Sequence, residues 1–186
     1  LGLTGSPVKT ENFSWDVNIN WTANRSMVNE LYGNLNTLVI AAYQGGINVS
    51  AKVGQPYGVI TGSDFVYKNG QKVVKPNGDY VKTATSDQVI GNSNPKWTAG
   101  VGNTLRYKGV SVKFLVDIRH GGDVFSLDQY FGLATGLYPE TAGLNDLGNP
   151  SRNPVTTGGD SGGFIRPGVQ VDGQVNTVRA SNDFQA

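Results

Sequence analysis

The string Gly159-Asp160-Ser161-Gly162-Gly163 puts a serine hydroxyl among small residues, as a nucleophile held beside backbone amides would be. Such a serine needs a base, and His120 is the single histidine. His120 stands at a strand end without a small-residue setting and only about forty positions earlier, so the reading is a glycine-rich loop with an Asp-Ser turn, and no catalytic residue is expected. With one His and no Cys, a metal site would need oxygen ligands throughout. Neither Asp123 with Asp128 nor Asp64 beside the Asn69 turn has the acidic spacing of a calcium loop. No glycine motif follows a strand and opens a helix to cradle phosphates. No metal and no cofactor are expected. The remaining ionic group is Arg106, Lys113, Asp117 and Arg119.

Those four residues lie in the stretch that organises the chain. From Trp97 to His120 apolar side chains fall on alternate positions: Trp97, Ala99, Val101, Leu105 and Tyr107, then Val110, Val112, Phe114, Val116 and Ile118. Period two means β structure, and a Lys108-Gly109 connection too short for a crossover means an antiparallel hairpin with its charge on one face. Runs of about eleven residues have the length of a tilted strand crossing a bilayer, roughly nine to eleven. Strands of a soluble sandwich are usually about five or six. Phe13 to Thr22 is the cleanest strand, with Phe13, Trp15, Val17, Ile19 and Trp21 opposite Ser14, Asp16, Asn18, Asn20 and Thr22.

Several strings here resemble the C-terminal barrel region of the SusC/RagA family of TonB-linked outer-membrane proteins. They are Ile90-Gly91-Asn92, Asn94-Pro95 two residues before an aromatic, Tyr107-Lys108, and Gly121-Gly122-Asp123 followed by Phe125. The likeness continues from Pro7 to Trp21 and from Gly136 to Pro154. It implies a fragment of a transmembrane β-barrel in the Gram-negative outer membrane, importing oligosaccharides or peptides with a SusD-like surface lipoprotein. Energy would come from the TonB-ExbB-ExbD complex, contacted through an N-terminal region that this sequence lacks. Glycan or peptide substrate and membrane lipid are the other implied partners.

Composition agrees with that class. A net charge of +1 and 16% charged residues leave no electrostatic footprint for nucleic acid, and none is expected as a partner. Twenty-six glycines favour turns over long helices. Zero cysteines remove disulfides and thiol chemistry. The sequence opens at Leu1 with no basic n-region or apolar h-region in view, and Leu1 and Leu3 alternate as if a strand were under way, so a piece of a longer protein is expected.

The expected fold is all-β: antiparallel strands of a partial, open transmembrane β-barrel, with long extracellular loops containing small hairpins. The whole of 1–186 is read as one partial barrel. Strands are placed at about 1–8, 13–22, 97–107 and 110–120, the first stopped by Pro7, which cannot donate to a ladder. Extracellular loops occupy about 24–95 and 121–186. The first contains a short helical turn within 26–34, short strands at 38–42 and 49–53, and a meander over 65–82 turning at Asn69-Gly70 and Asn77-Gly78. The second contains a helical turn near 126–133 and a hairpin about Asp172-Gly173. Short connections alternate with long ones, the rule for transmembrane barrels.

On a barrel Arg106, Lys113, Asp117 and Arg119 face the lumen, where structural contact with a plug is favoured over substrate recognition. On the alternative, a soluble β-sandwich carbohydrate-binding module, they form a solvated face. Substrate-binding residues stay unassigned, with these four as candidates.

Overall fold

In the computed structural model, residues 1–181 are described. The long strands are β1 (Gly2–Lys9) and β2 (Phe13–Thr22). Shorter ones follow as β3 (Thr37–Tyr43), β4 (Ile47–Lys52), β5 (Val59–Gly62), β6 (Tyr67–Lys68), β7 (Gln71–Val74) and β8 (Gln88–Asn92). Next come β9 (Trp97–Tyr107) and β10 (Val110–His120), then the helix α1 (Leu127–Ala134). Two-residue strands β11 (Phe164–Ile165), β12 (Val169–Gln170) and β13 (Arg179–Ala180) complete the set. The chain is mostly antiparallel β with little helix. No described helix is long and apolar enough to cross a membrane, which says nothing of crossing by strands. The end of the stretch read as a second loop, 182–186, lies outside the described residues.

The chain divides into two compact units. The first comprises Leu1–Ile40, Val49–Ile60 and Gly91–Val124. It contains a four-stranded antiparallel sheet in the order β1-β2-β9-β10. Lys108 makes the two-residue turn between β9 and β10 by adopting φ 50°, a left-handed conformation unusual for a lysine. Its N–H donates to Asn12 O at 2.9 Å, tying this turn to the one between β1 and β2.

Pro7 does not stop the first strand. The ladder runs from Gly2↔Asn20 to Gly5↔Val17 and resumes at Val8↔Trp15, so Ser6 and Pro7 together stand opposite Asp16. This is a β-bulge, a place in a sheet where a residue without an N–H is tolerated. The extra residue also shifts the strand's phase. Leu3 pairs with Ile19 and, beyond the bulge, Val8 pairs with Trp15, so both lie on the apolar side although one position is odd and the other even.

A further sheet has the order β3-β4-β5-β8. The helical turn expected within 26–34 is reduced to a single 3-10 turn at Tyr32–Asn34.

The second unit comprises Ala41–Asn48, Thr61–Ile90 and Phe125–Ala186. Asn69 and Gly70, at φ 51° and 77°, turn β6 into β7, as Asn-Gly does in a two-residue hairpin. The meander's third segment makes only isolated bridges, Val74↔Tyr80 and Phe65↔Lys82. Strand β12 joins β7 in parallel at Val169↔Val73, and buried Val73, Val74 and Val169 form a small core there. Gly168 makes that approach feasible: a Cβ would meet Lys72 O at 2.3 Å. Ser126 caps α1 by accepting from Gln129 N–H.

Candidate functional site

Registers in the β1-β2-β9-β10 sheet sort its side chains into two faces. Across β2, β9 and β10 one face has the rows Phe13, Tyr107, Val110; Trp15, Leu105, Val112; Val17, Asn103, Phe114; Ile19, Val101, Val116; and Trp21, Ala99, Ile118. The other face has Ser14, Arg106, Ser111; Asp16, Thr104, Lys113; Asn18, Gly102, Leu115; Asn20, Gly100, Asp117; and Thr22, Thr98, Arg119. The four ionic residues singled out in the sequence therefore share one face.

The apolar face is exposed along β10 and half-buried over most of β2 and β9 among the described residues. All eleven residues of β10 are exposed, with Val110 at 66% and Phe114 at 48% of their full area. Leu3, Trp21, Val112, Val116 and Ile118 are open as well. A sandwich needs this face sealed by a second sheet; here it is presented outward. The Trp97 and His120 rings stack 5.1 Å apart at its rim, which makes the histidine a packing residue.

On the polar face Arg106 Nη1 donates to Asp16 Oδ2, and Ser6 Oγ donates to Asp16 Oδ1 at 2.6 Å. Asn18 Nδ2 donates to Thr4 Oγ1 at 3.2 Å, and Asn20 Nδ2 to Asn18 Oδ1 at 3.1 Å. Lys113, Asp117 and Arg119 make no ion pair among the described residues. The Asp117 carboxylate lies over Gly100, while Gly102 leaves the face low beside it. A shallow trough of about 450 Å³ lies at Gly102, bordered by Thr4, Asp16, Asn18, Thr104, Lys113 and Leu115. Such a surface can hold water and make several hydrogen bonds to a polar solute.

Sequence reasoning missed two features. Asp16 as the partner of Arg106, ninety positions away, depends on the β2-β9 register. Asn103 interrupts the apolar set, and its Oδ1 accepts from Trp15 Nε1–H at 3.0 Å while its Nδ2 donates to Val101 O at 3.1 Å. The signal for it was present, since Asn103 occupies an odd position between Val101 and Leu105.

The serine string forms a closed loop. Ser161 is 2% exposed, and its Oγ accepts from Thr156 N–H at 3.1 Å and donates to Gly162 O at 3.2 Å. Gly162 packs so tightly that a Cβ would meet Asn153 O at 1.9 Å. The hydroxyl is a structural link in a packed loop. Among the described residues no three His, Cys, Asp or Glu side chains gather as metal ligands would.

No protein-family model matches the chain. It is 27% identical over 187 residues to the TonB-dependent receptor P26 of Formosa agariphila, across 87% of this chain and 19% of that protein. The chain is SusC/RagA-like. In fold, this SusC/RagA-like chain is also similar to a chain in the structure of the RagAB peptide transporter. That match has a TM-score of 0.52 and 19% identity, and covers 77% of this chain and 16% of the other. The chain thus spans less than a fifth of the length of either protein.

Proposed function

We propose that this SusC/RagA-like chain is a stretch of barrel wall from a TonB-dependent outer-membrane transporter. The observation that carries the reading is the sidedness of the β1-β2-β9-β10 sheet. Its Val, Ile, Phe and Trp side lies open, and its ionic groups lie on the reverse. A sheet one face of which touches hydrocarbon and the other a wet lumen needs this arrangement. Residues 1–186 then form part of one barrel. β1, β2, β9 and β10 cross the membrane, and 24–95 and 121–186 extend as extracellular loops.

In that setting the Asp16-Arg106 pair stiffens the lumen wall. Lys113, Asp117 and Arg119 remain available to a plug or a passing solute. The whole protein would then import oligosaccharide or peptide, with a SusD-like lipoprotein at the surface and the TonB-ExbB-ExbD complex supplying energy; the names of the two similar proteins, a TonB-dependent receptor and a peptide transporter, support the TonB dependence and the peptide.

Single-cysteine variants in this stretch, which has no cysteine of its own, test the reading in the intact protein in lipid vesicles, with any cysteine elsewhere replaced by serine. A charged, water-soluble maleimide is expected to label Lys113→Cys and Asp117→Cys and to leave Val112→Cys and Val116→Cys unlabelled. Equal labelling at all four positions would refute the membrane-facing assignment.

A further inference from the structure

A second cavity, of about 630 Å³, lies at the Thr22 end of the first unit's sheet. Thr22 and Thr98, paired across β2 and β9 on the polar face, contribute hydroxyls to it. Asn24, Arg25, Met27 and Lys96 supply much of the rest. Two cations line this cavity and no carboxylate does. Neither Arg25 nor Lys96 has a side-chain partner among the described residues.

The walls are built before any ligand arrives. The segment through Met27 is tied to the 54–57 turn, because Val28 N–H donates to Gln55 O at 2.9 Å and Gly54 N–H to Val28 O at 2.8 Å. Across the cavity Asn94 N–H donates to Asn92 Oδ1 at 3.0 Å, and Asn94 Nδ2 to Tyr57 O at 2.7 Å. The stem of Lys96 packs on Gly121, where a Cβ would meet Lys96 Cγ at 2.9 Å. Lys96 N–H meanwhile extends the ladder to His120 O at 2.8 Å. Asp123, a nearby acid, is not among the lining residues, and its Oδ2 accepts from Asn92 N–H at 2.8 Å. Two cations in a cavity that threonines and asparagines line together with Met27, Pro56, Pro95 and Trp97 favour an anion that also makes neutral hydrogen bonds and apolar contact.

We propose that this cavity binds a carboxylate-bearing oligomer, with Arg25 and Lys96 holding the carboxylate and Thr22 and Thr98 receiving its polar neighbours. The assignment rests on the transporter reading for its purpose, since it names the class of solute taken in. The carboxylate has two natural sources, a uronic acid or a peptide C-terminus.

Titration calorimetry on the intact protein in detergent separates them, with trigalacturonate, its methyl ester, trialanine and trialanine amide as probes. At least one of the two acids is expected to bind, and its neutralised counterpart at least about tenfold more weakly. Arg25→Gln and Lys96→Gln are each expected to weaken binding of the acid by a similar factor, and Arg25→Lys to retain most of it. The acid that binds identifies the source. Binding by neither acid, equal binding of an acid and its neutral form, or unchanged binding in both Gln variants overturns the proposal. Binding in detergent with the maleimide pattern reversed would instead keep the site and remove the transporter reading.

Discussion

Asn103 stands where the alternation requires an apolar side chain, in a row between Val17 and Phe114. An amide facing hydrocarbon is tolerated only when its hydrogen bonds are made inside the protein, and Trp15 Nε1–H and Val101 O make them. Removing either partner strands the other. Asn103→Leu and Trp15→Phe are each expected to destabilise the folded protein by about 1–3 kcal/mol. The double variant is expected to lose distinctly less than the sum, because no unpaired group remains. Urea unfolding in lipid vesicles measures all three. Strict additivity of the single losses would show that the hydrogen bond contributes nothing. The same pair illustrates why polar residues within an apolar stripe deserve individual attention: Asn103 was visible in the sequence, but its partner eighty-eight positions away was not.

Among the elements, the small β11-β13 sheet carries an ion pair on its second strand. Arg179 Nη2 donates to Asp146 Oδ2 at 2.6 Å and Nη1 to Gly163 O at 3.2 Å. That guanidinium holds the Asp146 carboxyl below the usual aspartate range. With the folded value lowered, the contribution is complete above the ordinary aspartate range, about pH 4, and is lost as the pH falls through the folded value. Hydrogen-exchange protection at Phe164 and Ile165, corrected for intrinsic rates, is therefore expected to drop between about pH 5 and pH 2. In Asp146→Asn it is expected to be low throughout and nearly flat; an equal drop in that variant would remove the ion pair from the account.

Legibility followed the physics of each element. β2, β9 and β10 could be read because side-chain period writes the strand into the chain, and Asn69-Gly70 because left-handed turns select those residues. β1 was placed at about 1–8 with Pro7 named as its stop, because a phase shift looks like an end, whereas the ladder resumes past Pro7 to Lys9. The pieces β11, β12 and β13, two residues each, have no period of their own and exist through distant partners such as Val73. The polar-face residues were legible as a set, whereas the Asp16-Arg106 bond required a register that only the assembled sheet supplies.

At the scale of the whole molecule, the barrel-wall proposal gives the exposed apolar face a depth dependence. Val116 is the seventh of the eleven residues of β10, which under that proposal puts it near the middle of the membrane, and Leu115 beside it lies on the polar face. An arginine facing lipid at mid-depth costs roughly 2–4 kcal/mol, whereas the lumen tolerates one. Val116→Arg is thus expected to impair folding into vesicles, read as loss of the compact band in unheated gel electrophoresis. Leu115→Arg is expected to leave that band intact. Equal impairment would mean that depth and facing are unrelated to stability here.

The bulge at Ser6 and Pro7 also determines where the gene can gain or lose a codon. Elsewhere in these ribbons, removing one amino acid would turn every later side chain inside out. Excising Pro7 would leave Ser6 alone against Asp16 and Val8 still beside Trp15, restoring a regular ladder with both surfaces unchanged. Length variation by a single residue among descendants of this sequence has a permitted address in its first strand.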